Sequence, residues 1–285
     1  MIWANGRARE AVEIVKKALK MNRSPISLET AEFVSKGTAE SRTKTEDSAG
    51  VLDLFKTPNL RIKTLNVCLN WFANSLVYYG LSLNTGQLSG DPYLILFVMG
   101  LVELPSYVLT VYLMDRMGRR SLTALNMILG GICCITAANL VMGSTESTAF
   151  VVVGKFLIAS SFAIIYNYSA ELFPTVVRNS ALGIGAMCAR TSGALTPLIT
   201  LLDSFDPKLP SIIFAVIALI SGFLTLFLPE TLNKPMPQTI QDGEEFGKGD
   251  TFFTSWRKKK TPDVEEPVTA KSPTSEQMQP LGVTR

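Results

Sequence analysis

The segment LFVMGLVELPSYVL, residues 96–109, carries a single charge, Glu103, in an otherwise apolar run. Arg190 interrupts the apolar, small-residue run ALGIGAMCARTSGALTP in the same way. Each lies about ten residues into its run, which at about 1.5 Å per residue places both near the middle of a bilayer. A charge at that depth costs about 3 kcal/mol on insertion scales, so neither is there without a use. Two uses fit. The pair can form a permanent interhelical salt bridge, or both can face a polar cavity at mid-membrane that binds a charged solute. Lys155, in VGKF, is nearer the end of its run and is expected to snorkel outward.

Helical spacing adds aromatic and hydroxyl groups to this chemistry. Trp71, Ser75, Tyr78 and Ser82 follow one another at steps of four, three and four, and so share a face. Lys155, Ala159, Phe162 and Tyr166 do the same. Lipid-facing surfaces do not combine such groups, and Trp71 and Phe162 lie too deep for an interfacial aromatic belt. Two further motifs carry charge outside the apolar runs. In DRMGRR, Asp115 can accept from an arginine of a neighbouring helix, Gly118 permits a tight turn, and Arg116, Arg119 and Arg120 supply donors. In ELFPTVVRN, Glu171 and Arg178 can join the same network. Arginines anchored on one membrane face would explain the basic residues but not the acids. A lock that opens and closes explains both.

These residues need helices to hold them. The chain of 285 residues is 47% hydrophobic, and its apolar residues concentrate in six stretches, 64–83, 93–114, 122–142, 149–170, 180–202 and 211–228. Each is close to the roughly 20 residues that cross a bilayer. The expected architecture is an all-α membrane protein of six transmembrane helices. Residues 1–61 form a polar segment with an amphipathic helix, 62–228 the six spans, and 229–285 a disordered tail. On the amphipathic helix, Ala8, Ala11, Val12, Val15, Ala18 and Leu19 share a face. Thr57 suits the N-cap of the first span and Pro58 its first turn. RKKK at 257–260 is a basic cluster within that tail.

Charge orients the spans. Arg61, Lys63, Arg116, Arg119, Arg120, Arg178 and Lys234 collect at one set of ends. Asp91, Glu146, Asp203 and Asp206 collect at the other, with Lys208 the one cation there. The basic side is expected to be cytoplasmic, with both termini on it. The polar N-terminus is no cleavable signal peptide. The net charge of +3 does not suggest nucleic acid as a partner. All four cysteines fall in spans and there is no histidine. With neither a nucleophile–base pair, a metal cluster nor a phosphate loop in view, an enzyme, a metal and a cofactor are not expected.

DRMGRR, ELFPTVVRN and the LPET after the last span resemble the second half of a major facilitator superfamily transporter. GLVELPSY, VGKF, AELFPTVVRN, CARTSGALTP and LFLPETLNKPMPQTI resemble, more finely, the organic cation/carnitine branch of the organic-ion solute carriers, and the match runs from about Gly6 to Asp242. The resemblance implies that the first span is the seventh of twelve. It also implies a substrate cavity whose positions here are Trp71, Ser75, Tyr78, Phe162 and Tyr166, with Glu103 as the intramembrane acid; Lys155, on the same face as Phe162 and Tyr166, is a further substrate-binding candidate. Arg190 falls at a charge-selecting position, where arginine favours zwitterions or carboxylates over simple cations. The implied function is transport of organic cations or zwitterions such as carnitine by alternating access, in the plasma membrane. The implied partners are the substrate, the lipid bilayer and a missing N-terminal six-span half. Val111 departs from the pattern, standing where the family carries glycine four residues before the DR motif. Two other readings remain open: a truncated isoform or gene model that does not transport, and an accessory membrane scaffold.

Overall fold

The computed structural model describes residues 50–250, apart from 85–87, 89 and 142, together with Ile14, Lys17, Lys20, Met21 and Asn22. The apolar face read on the amphipathic segment and the RKKK cluster lie outside the described residues. All regular structure among the described residues is helical. Six long helices dominate: α1 Pro58–Leu83, α2 Pro92–Met117, α3 Arg119–Asn139, α4 Thr145–Leu172, α5 Arg178–Thr200 and α6 Leu209–Thr225. A single helical turn, Asp53–Lys56, precedes α1, and a 3₁₀ turn, Leu201–Ser204, extends α5. A last short helix, α7, spans Ile240–Glu245.

Each long helix lies over one of the six apolar stretches, and two of them start on a side-chain cap. Asp91 accepts from the Tyr93 amide at the start of α2, and Ser144 accepts from the Ser147 amide at the start of α4. Three helices, α2, α3 and α4, are long and apolar enough to cross a membrane by length and composition. The helix α6 is apolar but has 17 residues. Helices α1 and α5 carry polar residues that lower their hydropathy. Length and composition therefore establish an all-helical architecture but not the six-span count.

The polar residues of α1 explain its place at the centre of the bundle, packed on α4, α5 and α6. Asn70 is fully buried, and its Oδ1 accepts from the hydroxyls of Ser221 at 3.0 Å and Thr225 at 2.8 Å on α6. The Asn66 amide donates to the Leu224 carbonyl at 2.7 Å. Small residues bring the other helices into contact. A Cβ at Gly130 would lie 2.8 Å from Ile158 of α4, and one at Gly222 would lie 2.8 Å from Ile128 and 3.2 Å from the Ala124 carbonyl of α3. At such spacing only glycine allows backbones to approach this closely.

The chain after α6 departs from expectation. Residues 229–250, read as the start of a disordered tail, fold back across the ends of α1, α3 and α4. The cause is a set of unpaired amides. The first N–H groups of a helix have no partner within it, and the Thr57 hydroxyl does not cap α1. Glu244 does so instead. Its carboxylate accepts from the Asn59 amide at 3.0 Å and the Leu60 amide at 2.8 Å. Lys63 then donates to the Gly243 carbonyl at 2.8 Å and to the Phe246 carbonyl at 2.5 Å. On the far side, the Thr175 amide donates to the Pro237 carbonyl at 3.2 Å. The segment is a strap across one end of the bundle, where α7 is held by a capping box of Thr239 and Asp242.

Two predictions test this packing. Gly222→Ala should destabilise the bundle by about 1–3 kcal/mol through overpacking against α3, whereas Gly183→Ala, with no atom within 4 Å of its Cβ, should be neutral. Thermal unfolding in detergent measures both, and equal midpoints would refute the close α3–α6 contact. The strap should respond to pH. Burial raises the Glu244 carboxyl, but donation from the Leu60 and Asn59 amides outweighs it and holds the group below its ordinary value. A depressed carboxyl stabilises above its unfolded value, about 4.3, and loses that contribution as pH falls through the folded one. Hydrogen exchange, corrected for intrinsic rates, should show Asn59 and Leu60 losing protection on acidification below about pH 4. In Glu244→Gln, protection should be lower at pH 7 and flat with pH.

Candidate functional site

The middle of the bundle holds a charged cluster, built by α1, α2 and α4. Glu103 is its centre. Its Oε1 accepts from the Tyr78 hydroxyl at 2.7 Å and pairs with Lys155 Nζ at 3.1 Å. Its Oε2 accepts from the Tyr107 hydroxyl at 3.2 Å. Lys155 also donates to Ser82 Oγ at 2.7 Å and to the Tyr78 carbonyl at 3.4 Å. Its ammonium lies 3.1 Å from the centre of the Tyr78 ring, within cation–π range. Lys155 is almost fully enclosed, with 3% of its side chain exposed against 17% for Glu103. Beside the pair stands an aromatic wall. Tyr78 stacks on Phe162 at 5.8 Å, and Phe162 meets Trp71 and Tyr166 edge-on at 6.1 and 5.7 Å. Tyr166 is half exposed.

The arrangement corrects the pairing read from depth. Glu103 pairs with Lys155, and Lys155 turns inward instead of snorkelling. Helix α4 begins at Thr145, four residues before the apolar stretch. Lys155 is thus its eleventh residue, level with Glu103, the twelfth residue of α2 counted from the same end. The helix α2 packs on α4, which brings the two charges together. Arg190 is exposed on α5 and has no ion pair among the described residues. Two other expected cavity residues are turned into contacts between helices. Trp71, 1% exposed, donates its indole N–H to Ser169 Oγ at 3.0 Å. Ser75 donates to the Ala189 carbonyl at 2.7 Å. Gly185 lets Trp71 seat against α5, where an added Cβ would lie 3.0 Å from the indole.

A second cluster occupies the basic end. Gly118, at φ +87°, forms the turn between α2 and α3. A Cβ there would lie 2.6 Å from the Glu230 carboxylate, so glycine is required both for conformation and for space. Glu230 Oε1 accepts from the Arg119 amide at 2.8 Å, capping α3. The Arg119 guanidinium contacts Asp115 at 3.3 Å and Glu171 at 3.1 Å. Glu171 also accepts from the Thr231 hydroxyl at 2.6 Å. Arg120 donates to the Leu228 carbonyl at 3.2 Å, and its Nε lies 4.0 Å from Glu230. The structure thus joins Asp115, Arg119, Arg120 and Glu171 around Glu230. Arg116 and Arg178 stand outside. Arg116 lies over the Tyr112 ring at 4.6 Å, and Arg178 reaches the Met236 sulfur at 3.8 Å. Val111 is exposed.

Sequence reasoning missed two members. Tyr107 is four residues from Glu103, and the spacing that linked the other aromatics would have found it. Glu230 was visible only as part of LPET. Its role depends on a chain reversal that brings it to the start of α3.

Comparison with known proteins follows the same lines. The chain matches the model of the family "Sugar (and other) transporter" over residues 2–241. It is 43% identical over 251 residues to the organic cation transporter protein of Drosophila melanogaster, covering 85% of this chain and 45% of that protein. It is 36% identical over 264 residues to the carcinine transporter of Drosophila melanogaster, covering 91% of this chain and 39% of that one. It is 38% identical over 244 residues to human solute carrier family 22 member 13, covering 85% and 43%. The chain belongs to the sugar and other transporter family of the major facilitator superfamily, and its relatives here are organic-ion solute carriers, which are transporters and not enzymes. It spans less than half the length of each of these three relatives.

Proposed function

We propose that this chain forms the C-terminal six-span half of a twelve-span transporter. It moves small organic cations or zwitterions such as carnitine across the plasma membrane by alternating access. The observation that carries the reading is the partly buried carboxylate of Glu103, set beside the rings of Tyr78 and Phe162 in the middle of the bundle. Carboxylate and ring faces are the two groups that recognise an organic ammonium, and a charge kept at this depth marks a substrate pathway. Arg190, exposed and without a partner in the described bundle, holds the carboxylate of a zwitterion through two parallel donors. Related folds build the pathway between two halves, and this chain supplies one wall. The basic end faces the cytoplasm, and the network of Asp115, Arg119, Glu171 and Glu230 is the lock that breaks when that side opens.

The test is a chimera in which the first six spans of the Drosophila organic cation transporter precede this chain. At the cell surface it should give saturable uptake of radiolabelled tetraethylammonium or carnitine, while residues 1–285 alone stay at background. A surface-expressed chimera that takes up neither would refute the reading, and saturable uptake by the chain alone would refute the half-transporter assignment. In the same chimera, Arg190→Asp should lower affinity for carboxylate-bearing zwitterions roughly ten- to a hundredfold, equivalent to about 1.5–3 kcal/mol, with a smaller effect on simple cations. Equal loss for both classes would leave Arg190 without a selective role.

Topology is checked separately. Tags on both ends of the chain should be reached by antibody only after permeabilisation, and labelling of either tag in intact cells would exclude the six-span arrangement.

A further inference from the structure

Lys155 occupies the place that a cationic ligand would take. Its ammonium is 3.1 Å from Glu103 Oε1 and 3.1 Å from the centre of the Tyr78 ring. These are the carboxylate and the ring face on which the proposed function relies. We propose that Lys155 is an internal cation that fills this site at rest, and that a cationic ligand binds only by displacing it. The inference rests on the reading of this cluster as a cation site.

Three features make displacement feasible. First, Lys155 has acceptors to retreat to. Ser82 Oγ at 2.7 Å and the Tyr78 carbonyl at 3.4 Å hold it on the side toward the end of α1, so its charge stays hydrogen-bonded after leaving Glu103. Second, Glu103 stays solvated by protein when the lysine leaves. The hydroxyls of Tyr78 and Tyr107 donate to opposite oxygens of the carboxylate, at 2.7 and 3.2 Å. Third, the carboxylate can be approached. Glu103 is partly exposed and Tyr107 is 40% exposed, so the pair is open on the side of α2, unlike a fully enclosed structural salt bridge. The exchange adds one positive charge to the site: Glu103 stays paired with a cation, while Lys155 keeps its charge on two neutral acceptors, a cost that the incoming ligand must offset.

Lys155 then acts as a selectivity filter built into the protein. A neutral molecule cannot compensate Glu103 and leaves the lysine in place. A cation must bind the carboxylate and ring better than a tethered primary ammonium does. Removing the competitor should therefore tighten binding of simple cations, whereas loss of a merely structural ion pair would weaken the site or unfold it.

The experiment uses the full chain in lipid nanodiscs at low ionic strength and measures equilibrium binding of radiolabelled tetraethylammonium. Lys155→Gln should bind about tenfold more tightly than the wild type, the equivalent of about 1.4 kcal/mol. Lys155→Arg keeps the internal cation and should bind like the wild type or more weakly. Binding by the wild type with equal or weaker binding by Lys155→Gln overturns the inference and leaves the cation-site reading intact. Tighter binding by Lys155→Arg also overturns it, and because that variant keeps the charge it remains informative if Lys155→Gln does not fold. Binding by none of the three overturns the cation-site reading and the inference together.

Discussion

In an apolar surrounding, each polar group must find its partner in the protein, and this constraint arranges the bundle around α1. Without water, an unpaired amide or hydroxyl costs several kcal/mol. The helix α1 carries polar groups along most of its length and directs four of them to four different neighbours. Asn70 is matched by Ser221 and Thr225 on α6, Trp71 by Ser169 on α4, and Ser75 by the Ala189 backbone on α5. Tyr78 is matched by Glu103 on α2. These contacts set the rotation of α1 about its own axis, which apolar packing alone leaves loosely defined. The same rotation turns the Tyr78 ring toward Phe162 and the intramembrane ion pair, so the site is a consequence of how α1 satisfies its polar groups.

The basic end follows a related rule. Two helices that start there, α1 and α3, each expose amides with no intrahelical partner. Two carboxylates from the chain beyond α6, Glu244 and Glu230, return to cap them. A negative group at a helix N-terminus also complements the helix dipole. The strap thereby ties the starts of α1 and α3 to the turn between α4 and α5. These contacts join that end of the bundle, and Gly222 seats α6 closely on α3 beside it.

The two clusters share α1 as their connection. Lys63, under the strap, and Tyr78, at the ion pair, lie on the same helix about 22 Å apart at 1.5 Å per residue. A helix transmits a tilt over that distance without breaking its hydrogen bonds.

Much of this was determined by the sequence itself. Six apolar runs with short polar connections specify six helices, because a helix satisfies its own backbone whatever surrounds it. Gly118 specifies the turn between α2 and α3, because few other residues take a positive φ. The charge at Glu103, amid apolar residues, required a polar partner inside the bundle. Tertiary structure decided what each charge meets. Depth counted from the ends of apolar runs matched Glu103 with Arg190. The Ser144 cap starts α4 four residues earlier than its apolar run, and that alone raises Lys155 to the level of Glu103. Rotation and neighbour choice then placed α2 on α4 and left Arg190 exposed. The strap was illegible for the same reason. Its composition is polar, and the partners of Glu244 lie 184 and 185 residues away along the chain. Local pattern specifies what a segment can form by itself, whereas contacts across such separations exist only once the helices have packed.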